Sequence, residues 1–209
     1  GNVDMNCADF SQKNREFVFG FRNGNLLCYY LHLLPSYELQ FVRRKLLSVS
    51  LEEVQIPLQV AYFDLIGLIL LLAESRYIIC LDASTFDVVF MISSDVFSLP
   101  PRRIWVDKFG ISFAVLCANE DYSNEQLEYW IPPQDYASAH VGAFDRVIVP
   151  RSGRLVNVAL ETVNSQGNHC MLITATEDSM VHLWNVLADK RMRFENAIEL
   201  NLPSSISVS

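Results

Sequence analysis

Runs of roughly 4–8 apolar or alternating residues, broken by short polar gaps, recur along the whole chain and predict β-strands. In the first stretch Val3 to Phe10, Glu16 to Gly20 and Asn25 to Leu31 fit strands, and Tyr37 to Val42 fits a fourth. Phe21-Arg22-Asn23-Gly24 reads as a hairpin turn, because Asn and Gly both tolerate positive φ. Leu58 to Phe63, Leu68 to Ala73, Tyr77 to Asp82 and Asp87 to Ile92 repeat the arrangement, with Glu74-Ser75-Arg76 and Ala83-Ser84-Thr85 as turns. A third group holds Ile104 to Val106, Ser112 to Cys117 and Gln126 to Trp130. Its hairpin is lengthened by polar Asn119 to Glu125, and Pro132, Pro133 and Ala137-Ser138-Ala139 leave its outer strand undefined. The last group holds Leu155 to Thr162, Met171 to Thr176, Met180 to Asn185 and Arg193 to Ala197, with Asn164 to Asn168 as a loop.

These groups return every 40–50 residues or roughly so, an interval that points to repeated sheet units. They divide a single domain, 1–209, into units of approximately 3–48, 56–98, 103–150 and 155–200. Short helices at Ala159-Leu160 or over Leu187 to Arg193 compete with this reading. The turn dipeptides and the β-branched and aromatic runs favour an all-β chain.

With 51% hydrophobic and 19% charged residues, the 209-residue chain can bury a sizeable core. A net charge of −8 argues against a general nucleic-acid binder, which needs clustered cations on its phosphate-facing surface. Arg43-Arg44-Lys45 and Arg102-Arg103 are short enough to be solvated strand ends that protect edges from pairing. The five cysteines, at 7, 28, 80, 117 and 170, form no CxxC pair and are odd in number, which fits reduced thiols in an intracellular protein. Leu65 to Ala73, the longest apolar run, is too short for a membrane-spanning helix, and no secretory signal pattern opens the sequence.

Leu172 to Val186, reading LITATEDSMVHLWNV, is the most informative stretch. Two strands meet at a turn carrying Asp178, with Thr176 before it and Trp184 near the end of the second strand. This resembles the inner half of a blade in the WD-repeat β-propeller family. In that family a hydroxyl residue, a turn aspartate and a strand-end tryptophan join a histidine in a hydrogen-bonded network. The resemblance implies that Thr176, Asp178 and Trp184 form a structural blade network, in which a buried carboxylate is compensated by hydroxyl, indole and amide donors. No histidine fits the fourth place: His169 lies in the wrong loop and His140 too far upstream. The first unit repeats the spacing loosely with Asn23 and Tyr29, the second retains only the apolar framework, ending in Leu81-Asp82, and the third offers Trp130 after a longer turn. Propellers of this family commonly close with about seven blades, so four units imply a segment of a larger or multi-chain propeller, with the missing blades supplied by another segment or chain.

Chemistry is sparse. There is no phosphate-binding glycine loop, no HExxH, no histidine or cysteine at metal-ligand spacing and no nucleophile elbow; no catalytic residue, metal or cofactor is assigned. The leading expectation is therefore a noncatalytic protein–protein interaction scaffold within an intracellular complex, in the cytoplasm or nucleus. Tyr122, Trp130 and Tyr136, in or beside the longer loops, are candidate partner contacts. One alternative is a substrate receptor of a ubiquitin ligase; receptors of the family carry an arginine two residues after the strand-end Asp, whereas Trp184-Asn185-Val186-Leu187 lacks it. Another is a noncatalytic partner of an RNA-processing enzyme, which would use Arg102, Arg103, Arg151 and Arg154 and is weakened by the acidic balance.

Overall fold

A strand covered on both faces can be apolar at every position, whereas one covered on a single face alternates. The chain contains both kinds. The computed structural model describes residues 4–33, 35–50, 53–133, 135, 143–150, 153–162, 170–186 and 192–200. Four antiparallel four-stranded sheets follow one another, each made of consecutive strands. The first is β1 (Met5–Ser11), β2 (Glu16–Phe21), β3 (Asn25–His32) and β4 (Glu38–Leu46). A two-stranded ribbon, β5 (Ser48–Ser50) and β6 (Glu53–Val54), leads into the second, β7 (Pro57–Phe63), β8 (Leu68–Ala73), β9 (Ile78–Asp82) and β10 (Val88–Ile92). The third is β11 (Pro101–Val106), β12 (Phe113–Ala118), β13 (Glu125–Ile131) and β14 (Asp145–Val149). The fourth is β15 (Leu155–Thr162), β16 (Cys170–Thr176), β17 (Met180–Val186) and β18 (Met192–Glu199).

The first strands lie side by side, β1 beside β7, β7 beside β11 and β11 beside β15, so the sheets fan out from an inner row. Among the described residues the fan does not close into a ring. β8 and β12 are buried at every residue because their sheets are sandwiched. Leu68, Leu70 and Leu72 face the third sheet with Phe113, Val115 and Trp130, while Ile69, Leu71 and Ala73 face the first sheet with Val18, Leu26 and Cys28. The third seam joins Leu116, Leu127 and Tyr129 to Leu172, Trp184 and Val186. By contrast β16 alternates buried and half-buried residues, as a strand with one covered face must.

Polar side chains lock the inner row across each seam. Asn6 Nδ2 donates to the Pro57 carbonyl (2.7 Å), and Asp9 accepts from the Tyr62 amide (2.8 Å). Gln59 pairs with the backbone of Ile104 twice, donating to its carbonyl (2.6 Å) and accepting from its amide (2.9 Å). Trp105 Nε1 donates to Asn157 (3.2 Å), and Glu125 accepts from the Leu155 amide (2.8 Å). Each inner strand also carries a β-bulge one residue in, at Asn6, Leu58, Arg102 and Val156.

The predicted Asn-Gly hairpin is present, with Gly24 at φ 79 and its amide bonded to the Phe21 carbonyl (2.9 Å). Three expectations need revision. The third sheet has a fourth strand, β14, where none was defined; β11 begins at Pro101 instead of Ile104, because a strand's first residue needs no amide donor; and Arg43 and Lys45 are half-buried, not free in solvent. Arg43 folds onto the seam of the first two sheets, paired with Glu16 (2.9 Å), bonded to the Ala83 carbonyl and set over the Phe86 ring, and Lys45 bonds the Phe86 carbonyl.

Leu70→Ala should lower stability by about 2–5 kcal/mol through lost burial and the cavity left behind, and Gln59→Ala by about 1–3 kcal/mol because the Ile104 amide and carbonyl lose their partners. Urea midpoints of the two variants measure both.

Candidate interaction surfaces

The turn of the fourth sheet is built by Ser179, whose φ of 63 lets β16 reverse into β17. Thr176, the last residue of β16, directs its hydroxyl at the Asp178 carboxylate and lies 3.2 Å from the Met180 carbonyl. That hydroxyl, with the Met180 amide, holds the Asp178 carboxyl below the ordinary carboxylate range. Asp178 is exposed, so the expected buried carboxylate is not what this turn contains. Trp184 is buried, and its indole donates to Thr174 Oγ1 (3.3 Å) and not to Thr176 or Asp178. Pairing explains the division: Leu172 lies opposite Trp184, which sets the indole against the next inward residue of β16, Thr174, well below the turn. The predicted network of Thr176, Asp178 and Trp184 leaves out Thr174, although its two-residue spacing from Thr176 puts both on one face.

Trp130 is 2% exposed and presents no surface to a partner, which corrects its reading as a contact residue. It stacks on Phe113 (centroids 6.0 Å apart) and touches Phe97, and its indole donates to Glu128 (3.1 Å). Glu128 is fully buried, accepts a second bond from Gln126 (2.9 Å) and lies 3.7 Å from Arg146, which also covers the Trp130 ring. Burial raises the Glu128 carboxyl pKa; Arg146 and the two donated hydrogen bonds oppose that rise.

Tyr122 is half-buried at the end of a loop closed on itself by Asn119, which bonds Ser123 and Asn124. Its ring packs at the seam between the third and fourth sheets under the Arg154 guanidinium (5.5 Å), and Arg154 in turn pairs with Glu177 (3.3 Å). Tyr136 lies outside the described residues, as do His140, Arg151 and His169. Of the other arginines proposed for RNA, Arg102 bonds the Ala118 carbonyl (3.0 Å) and Arg103 is exposed on β11.

Three surfaces could receive another protein. The inner row lines a cleft of about 650 Å³, with Val60, Trp105, Lys108 and Leu160 among its walls. The uncovered face of the first sheet carries an aromatic ladder crossing all four strands: Phe10 to Phe17 (4.5 Å), then Phe19, Tyr29 and Phe41 at 5.7 Å steps. Phe41 is 53% exposed. The outward face of the fourth sheet is mixed; Ile173 pairs with Leu183 and Ala175 with Val181 on the side opposite inward Leu172 and Trp184, and Glu161, Asn185 and Asn196 share that side. Sequence reading missed the ladder because its rings sit in four separate strands.

Among the described residues no group of three His, Cys, Asp or Glu could hold a metal, and no helix is long and apolar enough to cross a membrane. The five thiols are free, and burial raises those of Cys7 and Cys28 to about 11.

Two measurements follow from these contacts. Thr174→Val strands the buried Trp184 indole and should cost about 1–3 kcal/mol, whereas Asp178→Ala at the exposed turn should leave the urea midpoint nearly unchanged. Because the Glu128 pKa is raised on folding, its contribution is full below the unfolded glutamate pKa of about 4.3 and is lost as pH rises through the folded value. Glu128→Gln should flatten this part of the stability–pH curve, measured by denaturation from pH 4 upward.

No protein-family model matches the sequence, and no curated protein matches it. Solved structures do. The chain is similar to Sqt1 of Saccharomyces cerevisiae, with a TM-score of 0.59 at 10% identity, covering 91% of this chain and 47% of that one. It is similar to the β-propeller domain of Cps50 (Swd1) from Myceliophteria thermophila, with a TM-score of 0.60 at 12% identity, covering 96% of this chain and 56% of that one. The chain thus spans about half the length of each. With four fanned antiparallel sheets among the described residues and these neighbours, it has a β-propeller fold, whose four sheets form an open arc.

Proposed function

We propose that this chain is a noncatalytic protein–protein interaction scaffold, a subunit of an intracellular multiprotein complex whose propeller is extended by blades from another segment or chain. The observation that carries the reading is the aromatic outward face of the first sheet. Isolated apolar residues on a surface need no explanation, but a contiguous ladder of five rings across a whole sheet marks an interaction surface. The likeness to propeller structures supports a binding role by analogy of fold. Half-buried Tyr122, with Arg154 over its ring, gives a further contact on the loop rim.

The test is affinity purification of the tagged chain at low salt, with quantitative mass spectrometry. A defined set of proteins in stoichiometric amounts is expected, reduced by Phe19→Glu on the ladder and by Tyr122→Ala on the rim. A chain that purifies with no stoichiometric protein, or with nucleic acid alone, overturns the proposal.

A further inference from the structure

The bulges of the inner row meet at one pocket of about 410 Å³, where the second, third and fourth sheets open. Leu58 and Gln59, Arg102 and Arg103, and Asn157 line it, with Trp105 as a wall. Successive residues of a regular strand point to opposite faces. The bulge at Arg102 breaks that alternation, so two arginines in sequence line the same space.

The pocket is rich in donors and has no free side-chain acceptor. No carboxylate lines it. Gln59 spends both ends of its amide on the Ile104 backbone. Asn157 Oδ1 accepts from the Trp105 indole and the Val158 amide, which leaves the Asn157 amino group to donate. Arg102 uses its Nε on the Ala118 carbonyl, and exposed Arg103 bonds nothing among the described residues. By contrast Arg43, Lys45, Lys108, Arg146, Arg154 and Arg193 each stand against a carboxylate. A third guanidinium is close by. Arg76 bonds the Pro101 carbonyl (3.3 Å), and burial and the charge of Arg102 lower its pKa, against the opposing pull of Tyr122, Glu74 and Glu120.

We propose that this pocket binds a phosphate group, borne by a free phosphate compound or by a phosphorylated side chain. A guanidinium fork engages two oxygens at once, and a phosphate monoester has three terminal oxygens to meet Arg102, Arg103 and the Asn157 amide together, where a carboxylate has two. Leu58 and Trp105 supply an apolar wall for the group that carries it. The net charge of −8 repels a strand of many phosphates, whereas a single phosphate needs only the local cations.

The chain has three tryptophans, of which Trp105 alone belongs to the pocket. Its indole N–H is a local reporter in heteronuclear NMR of the whole chain, with those of buried Trp130 and Trp184 as internal controls. Sodium phosphate, titrated at an ionic strength held constant with chloride, should move the Trp105 signal saturably and leave the other two in place. Arg103→Gln, which removes no bond within the described residues, should weaken the apparent affinity about tenfold or more, the loss expected of a charge-assisted fork. A phosphoserine pentapeptide and its unphosphorylated form separate the sources. Movement of Trp105 by the phosphopeptide at lower concentration than by phosphate assigns the group to a protein, and weaker movement assigns it to a free phosphate compound. An unmoved Trp105 signal, equal movement of all three indoles, or an Arg103→Gln chain that titrates like the parent overturns the proposal. So does single-stranded RNA that moves the same signal and binds more tightly than either probe. No other protein is present, so the result is independent of the scaffold reading.

Discussion

Everything in this molecule depends on covering both faces of a sheet. A four-stranded sheet with one wet face can alternate apolar and polar residues, and a sandwiched sheet cannot. The second and third sheets show the sandwiched condition in full: β8 and β12 have no exposed residue, and alternate side chains of each serve different cores. The seams are therefore coupled through shared strands. Leu70 and Leu71 are chain neighbours in different cores, so loosening one seam strains the next.

Apolar packing alone does not set the angle between blades. That task falls to side chains of the inner row, where Asn6, Gln59 and Asn157 sit at or beside the bulges and bind the neighbouring blade. Amides suit the position because they donate and accept at once, as Gln59 does against Ile104. The outer strands are less committed; β4 and β18 are largely exposed, although Arg43 and Lys45 reach back from β4 to the seam with the second sheet.

The sequence carries the architecture more clearly than the surface. Apolar runs of strand length and the Asn23-Gly24 turn suffice to predict the inner strands of each sheet, since these signals are local. β14 was hidden because Pro132, Pro133 and a run of small residues precede it, and nothing local shows that pairing with β13 resumes at Asp145. Trp130 reads as a surface ring because a polar loop leads into its strand, whereas pairing places it beside buried Glu128. A charged residue within an apolar alternation carries no local sign that an arginine two strands' length away will partly balance it. The Trp184 indole bond to Thr174 follows from cross-strand register, which no single strand reveals.

The four bulges have a bearing on how this chain can change in length. Within a regular strand, adding or losing one residue sends every side chain beyond that point to the opposite face. At Asn6, Leu58, Arg102 and Val156 the extra residue is already out of step with the partner strand. Losing it would restore ordinary pairing and leave the downstream faces in place, re-aiming the strand's opening residue and giving up the bulge residue's own bond where it makes one, as Asn6 does to Pro57. The openings of the inner strands are thus the points inside the sheets where a one-residue deletion can be absorbed, and where divergent copies of a blade can differ by one position and still superimpose.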